Sequence, residues 1–219
     1  MRTLFTAELS ELADDLVSMS RLVEDSINRA SEALLTANVE LAQSVIADDE
    51  KLDDLEETVD ERCVLLIAQQ QPVGLDLRTI ISGLRISAAL ERMGDLAEHV
   101  AGIARRVYPE KAIPETHREI FEKFAAAAGE TAAAVTSLLE QRDLNLAAAI
   151  VSDDDVIDEL HGQAYAALLA ESFDGSQQES LDIALAARYY ERFGDHAVGI
   201  SRRIVYLVTG DHKGERAAI

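Results

Sequence analysis

The stretch Leu90-Glu91-Arg92-Met93-Gly94-Asp95-Leu96-Ala97 decides how this chain is read, because Tyr190-Glu191-Arg192-Phe193-Gly194-Asp195-His196-Ala197 writes it again 100 residues later. A second match lies upstream. Asp49-Glu50-Lys51-Leu52-Asp53-Asp54-Leu55 answers to Asp154-Asp155-Val156-Ile157-Asp158-Glu159-Leu160 at an offset of 105, so the register changes by five in the loop after Gln71. Self-similarity on this scale is the mark of one structural unit built twice.

Around both copies the apolar residues recur at helical steps. Leu9, Leu12, Leu16, Met19, Val23 and Ala30 draw one stripe, and Leu52, Leu55, Val59, Cys63 and Leu66 another. Leu77, Ile81, Leu84 and Ala88 make a third, and Ile120, Phe124, Thr131, Val135 and Leu138 a fourth. Spacings of three and four place such residues on one face of an α-helix. No comparable stretch alternates with period two. Asn38 is placed to cap a helix, and Gln71-Pro72-Val73-Gly74 ends one because proline withholds a donor. Pro109 and Pro114 bracket a mid-chain link, and Asp174-Gly175-Ser176 is a turn.

These signals predict helices over 6–36, 38–70, 75–108, 115–141, 143–172 and 177–208. The fold class is all-α: two tandem three-helix bundles related by internal duplication, with six long helices. The repeats run over 1–110 and 111–209, and 210–219 is expected to be a flexible C-terminal tail.

Composition narrows the function. The 219 residues carry 41 acidic and 20 basic side chains, a formal net charge of −21. That sign opposes binding to nucleic acid or to anionic lipid. At 48% hydrophobic residues the chain can bury a core, and a single Cys63 cannot form an internal disulfide. Glu8 falls where a signal peptide needs its apolar region, and no apolar run is long enough to span a membrane. A cytoplasmic location is the expectation.

The repeated acids carry the chemistry. Glu91 and Asp95 are four apart, as are Glu191 and Asp195, so each pair shares a helix face and repels by about 0.2–0.5 kcal/mol. Leu77, Leu84 and Glu91 are spaced by sevens, as are Ile81, Ala88 and Asp95, so the acids continue lines expected to be core. Carboxylates there must be paired, protonated or bound to a cation. Asp49, Asp53, Glu56 and Asp60 flank the second helix, with Asp154 and Asp158 matching in the second half. Packed antiparallel, these would face the motif acids across a groove. Four or more carboxylates suit a hard cation such as Mg²⁺, Mn²⁺, Ca²⁺ or iron.

Ion pairing serves the same acids equally well, since Arg85, Arg92, Arg188 and Arg192 lie nearby. His99 extends the Glu91–Asp95 line by a turn, although a packed or surface histidine is the simpler reading, as for His196. Gly94 and Gly194 each cost a helix about 1 kcal/mol relative to alanine, which points to close helix approach. No phosphate-cradling glycine loop, no nucleophile–histidine constellation and no Glu-x-x-His tetrad is present, so an enzyme is not expected.

The duplicated Glu-Arg-hydrophobic-Gly-Asp motif in an all-helical setting, together with Gln71-Pro72-Val73 leading into Asp76-Leu77-Arg78, resembles the PhoU family of bacterial phosphate-signalling regulators. The likeness covers residues 1–209. It implies a non-enzymatic adaptor that negatively regulates the phosphate-starvation response and phosphate uptake. The adaptor would link the ATPase subunit of the phosphate ABC transporter to a membrane sensor histidine kinase, and it would form a homodimer. It further implies divalent or iron-type metal ions, without organic cofactor, at Asp49, Asp53, Glu91 and Asp95 in the first half. The second set would be Asp154, Asp158, Glu191 and Asp195. Tyr189-Tyr190 replaces the usual apolar pair before the second motif, a departure that bears on that set. A carboxylate-cluster metal-binding protein or metal-dependent hydrolase is the competing reading, and a helical scaffold unrelated to phosphate a third.

Overall fold

The computed structural model describes residues 2–211, with side chains from Phe5 onward. All regular structure among the described residues is helical. The helices are α1 (Arg2–Thr36), α2 (Val39–Asp48), α3 (Glu50–Gln70), α4 (Leu75–Val107), α5 (Glu115–Gln141), α6 (Leu144–Leu168) and α7 (Gln177–Thr209). The expected tail from residue 212 onward lies outside the described residues. Gly210, in the left-handed region at φ 76°, caps α7 by donating its N–H to the Tyr206 carbonyl.

Two differences from the sequence reading have local causes. The expected helix 38–70 divides at Asp49, where the ladder tightens: the Leu52 N–H donates to the Asp49 carbonyl at 2.8 Å, alongside Asp53 at 3.2 Å. Asp49 keeps helical angles, so α2 and α3 continue in nearly one direction. The expected helix 143–172 stops at Leu168, because the chain turns to set Phe173 edge-on against His117 at 5.3 Å. The following helix then starts on a capping box in which Ser176 and Glu179 each satisfy the other's backbone N–H. Asn38 caps α2 as expected, accepting from the Leu41 N–H.

α1, α2, α3 and α4 build the first repeat, and α5, α6 and α7 the second. The repeats join through α1 against α5 and α4 against α7. α2 and α3 pack against α1 and α4, and α6 packs against α5 and α7. Both joining pairs are antiparallel. Along α4 and α7, His99 meets Tyr189, Arg106 meets Asp182, and Arg78 meets Tyr206. One core cluster runs through both repeats, and its largest fully buried side chains are Tyr190, Phe121, Phe124 and Phe193. Tyr190 stacks on Phe124 at 5.1 Å and shares a 2.7 Å hydrogen bond with Ser31 of the first repeat.

The line expected to be core on α4 is its shoulder. Leu77 is 37% exposed, Ala88 is exposed, and Ile81 and Leu84 are half-buried. The buried stripe follows Ile80, Gly83, Ile86, Leu90, Met93, Gly94 and Ala97 instead. An α4 packed against α1, α3 and α7 at once buries a wide arc. Sevenfold spacing locates one edge of that arc and misses its centre. The motif acids therefore stand at the margin of the core.

Candidate functional site

Each motif helix carries its acids beside a glycine that lets the preceding helix close on it. A Cβ added to Gly94 would overlap Leu52 Cδ2 and lie 3.4 Å from Asp49 Oδ1. A Cβ added to Gly194 would overlap Asp154 Oδ1 and lie 3.3 Å from Ile157 Cδ1. Leu52 and Ile157, like Asp49 and Asp154, hold corresponding places in the two repeats. The glycines thus deliver the Asp49 and Asp154 carboxylates to the motif helices in both halves.

The electrostatics register this convergence. Burial first, then Glu98, Asp53, Asp95 and Glu91, push the Asp49 carboxyl up to about 6. Burial, then Asp158, Asp195, Asp155 and Glu191, push Asp154 up to about 6 as well. Glu91 is raised by burial and Asp95, with Arg92 opposing. Glu56 is raised by burial and Asp60. All eight acids singled out in the sequence thus fall into two groups of mutually repelling carboxylates, one per repeat.

Arginines pair with part of each group, and they do so within a helix. Arg92 reaches Glu91 at 3.3 Å and Asp95 at 2.6 Å on α4, and Arg188 pairs with Glu191 on α7. Arg85 pairs with none of them. One oxygen is left over: Asp154 Oδ1 is buried without a hydrogen-bond partner. Among the described residues no three His, Cys, Asp or Glu side chains converge as a ready-made metal cage. The donor chemistry suits a hard cation nonetheless, being oxygen throughout and including that orphaned carboxylate oxygen.

Sequence reasoning missed Glu98, the largest charged influence on Asp49. The signal was present, since Glu98 follows Glu91 by seven and so lies on the same face. His99, considered in its place, stacks on Tyr189 of α7 at 5.1 Å instead. The second repeat has Val198 where the first has Glu98, so the two groups differ in composition. His196 sits where the motif helices cross, lowered by burial and by Arg192, with Asp195, Arg92 and Asp95 also acting on it. Cys63 is buried, and burial pushes its thiol up to about 11, which suits an inert packing role.

Comparison with known proteins agrees with both repeats. The family described as "PhoU domain" matches residues 16–104 and 121–204. The phosphate-specific transport system accessory protein PhoU homolog 2 of Mycobacterium tuberculosis is 38% identical over 210 residues, spanning 96% of this chain and 99% of its own. PhoU homolog 1 of Thermotoga maritima is 33% identical over 213 residues, covering 96% of this chain and 91% of that protein. The crystal structure of PhoU from Pseudomonas aeruginosa superposes with a TM-score of 0.88 at 32% identity, over 94% of this chain and all of that one. No described helix is long and apolar enough to cross a membrane.

Proposed function

The chain belongs to the PhoU family, and from that premise we propose that it is a non-enzymatic cytoplasmic adaptor that restrains phosphate uptake and the phosphate-starvation response. In this reading a homodimer links the ATPase subunit of a phosphate ABC transporter to a sensor histidine kinase. The observation that carries it is likeness along the whole chain, through both repeats, to phosphate-specific transport system accessory proteins. The net charge of −21 adds to it, because action on transcription then requires an intermediary protein. The test is a deletion strain with affinity capture. Phosphate-starvation genes should stay on in phosphate-rich medium, and the tagged chain should retain the transporter ATPase and the kinase. Normal repression in the deletion strain sinks the reading.

The carboxylate groups favour a second property alongside the first. Asp154 Oδ1 is buried and unpartnered among four other acids, an arrangement a cation would relieve. Asp49, Asp53, Glu91 and Asp95 would hold one site and Asp154, Asp158, Glu191 and Asp195 the other. A bound hard cation there would supply charge neutralisation. The motif acids would exchange their pairing with Arg92 and Arg188 for the ion. Elemental analysis of protein purified without chelator checks it, with the Asp154→Asn, Asp158→Asn double variant as control. Equal metal content in the two proteins rules these residues out as ligands.

A further inference from the structure

The pairing of α4 with α7 has two arms related by the internal duplication, and their chemistry differs. On one arm Gln178, Asp182 and Arg106 form a closed set. Asp182 is 1% exposed, accepts from Gln178 at 3.0 Å and pairs with Arg106 of the other repeat. At the 100-residue offset of the motif, the same three places on the other arm hold Arg78, Ser82 and Tyr206. The acid has become a serine, and a cation stands where the glutamine was.

Further positive charge gathers on this arm. Arg78 lies 5.6 Å and Arg203 lies 5.7 Å from the centroid of the same Tyr206 ring. Arg203 is held below its ordinary value by burial and by the neighbouring Arg85, with Tyr206 opposing them. No ion pair within 4 Å is made by Arg78, Arg85 or Arg203 among the described residues, in a chain where acids outnumber bases two to one. Two buried polar atoms here lack partners: Arg78 Nε and the hydroxyl of Ser82, which is 1% exposed. The carbonyl end of α7 at Gly210, beside Arg78 Nη1, offsets part of one charge. Arg203 has the Tyr206 ring, and neither Arg85 nor Arg203 has a salt bridge to a carboxylate among the described residues.

Guanidinium groups without a salt bridge among the described residues, beside two orphaned buried polar atoms, suit an anion with several acceptor oxygens. On the matching arm one carboxylate serves one arginine. Here three guanidiniums require more charge and more oxygens than a carboxylate offers. We propose that Arg78, Arg85 and Arg203, with the Ser82 hydroxyl and the Tyr206 ring, form a binding site for a small tetrahedral dianion of the phosphoryl class. The ligand would occupy the place that Asp182 fills in the other arm. The site is separate from the acidic groups and does not rest on the adaptor reading.

Calorimetric titration of the full chain at low ionic strength tests this, with inorganic phosphate and glycerol 3-phosphate as separate probes and acetate as the monoanionic control. Saturable binding of one phosphate-class anion per chain is expected, without saturable binding of acetate. The probe that binds more tightly identifies free phosphate or a phosphomonoester as the source. Arg85→Gln and Arg203→Gln should each weaken binding by at least about tenfold, as expected for loss of a charge-assisted pair. Arg105→Gln, an exposed change toward the other arm, should leave it unaltered. Arg85 is itself exposed, so its variant should melt as the parent does. Absence of saturable binding by either probe at millimolar concentration, equal binding of acetate, or full affinity in both the Arg85 and Arg203 variants overturns the proposal.

Discussion

The carboxylate of Asp154 rests on Gly194, with Oδ1 in the space a side chain there would occupy. The motif glycine therefore works as a seat for an acid from the neighbouring helix, and helix flexibility has no part in its placement. Replacing Gly194 with alanine should push Asp154 outward into solvent. Its carboxyl, now at about 6, should then fall toward the ordinary aspartate value near 3.8. Carboxyl-carbon NMR titration of the variant reports the change. An Asp154 that still titrates near 6 contradicts the seat.

Gly94 meets a different neighbour and should respond differently. Its new methyl would strike Leu52, a core residue, and force repacking that costs about 1–3 kcal/mol, against a helix gain of about 1 kcal/mol. Gly94→Ala should be destabilising overall. Gly102→Ala, with nothing within 4 Å of the added carbon, should stabilise by up to about 1 kcal/mol. Urea denaturation of the two variants side by side checks the contrast.

Asp49 and Asp154 should make stability fall as pH rises. Each carboxyl is raised in the fold to about 6 from 3.8, so the folded state holds protons that the unfolded state has released. Their favourable contribution is complete below about pH 4 and is lost as pH climbs through about 6. Asp49→Asn and Asp154→Asn should therefore stabilise the chain at pH 8 and change little at pH 4. Discounted for their partial exposure, the gain is about 1 kcal/mol each, or about 2–4 °C in Tm. Thermal melts at the two pH values decide it, and a stabilisation independent of pH would falsify the assignment.

The Ser31–Tyr190 hydrogen bond ties α1 to α7 inside the core. Tyr190→Phe strips Ser31 of that partner, and Ser31→Ala leaves the Tyr190 hydroxyl buried without one. Each single change should cost about 1–3 kcal/mol, and the double change should cost less than the sum. A double-mutant cycle by chemical denaturation measures the coupling; strict additivity means the bond contributes nothing.

Asp182 is buried against Arg106 of the other repeat. Arg106→Ala leaves that carboxylate unpaired apart from Gln178 and should cost about 3 kcal/mol. Arg105→Ala, its exposed neighbour, should stay within about 0.5 kcal/mol. The comparison of denaturation midpoints isolates the pair.

Much of this was legible in the sequence because it is written in period and repetition. The helical stripes of α1 and α5, the cap at Asn38 and the duplicated motif each follow from local rules that the fold obeys. What escaped the sequence depends on neighbours far along the chain. The true core face of α4 is set by how many helices surround it, which spacing along one helix does not report. The early end of α6 is set by Phe173 finding His117, contributed from another helix. Arg92 and Arg188 turned to acids on their own helices because those lay three residues or fewer away, although partners between helices were equally compatible with the sequence. Glu98 is readable from its sevenfold spacing to Glu91, which places it on the face of the motif acids.

The duplication itself has a consequence for recognition. A chain whose halves had stayed alike would present two interchangeable ends, and any partner would meet the same surface twice. Here the crossing of α4 and α7 is sealed at one end by Asp182 and Arg106 and left cationic at the other by Arg78, Arg85 and Arg203. The molecule therefore has a head and a tail. A partner that distinguished the two ends would be held to a single orientation on the chain.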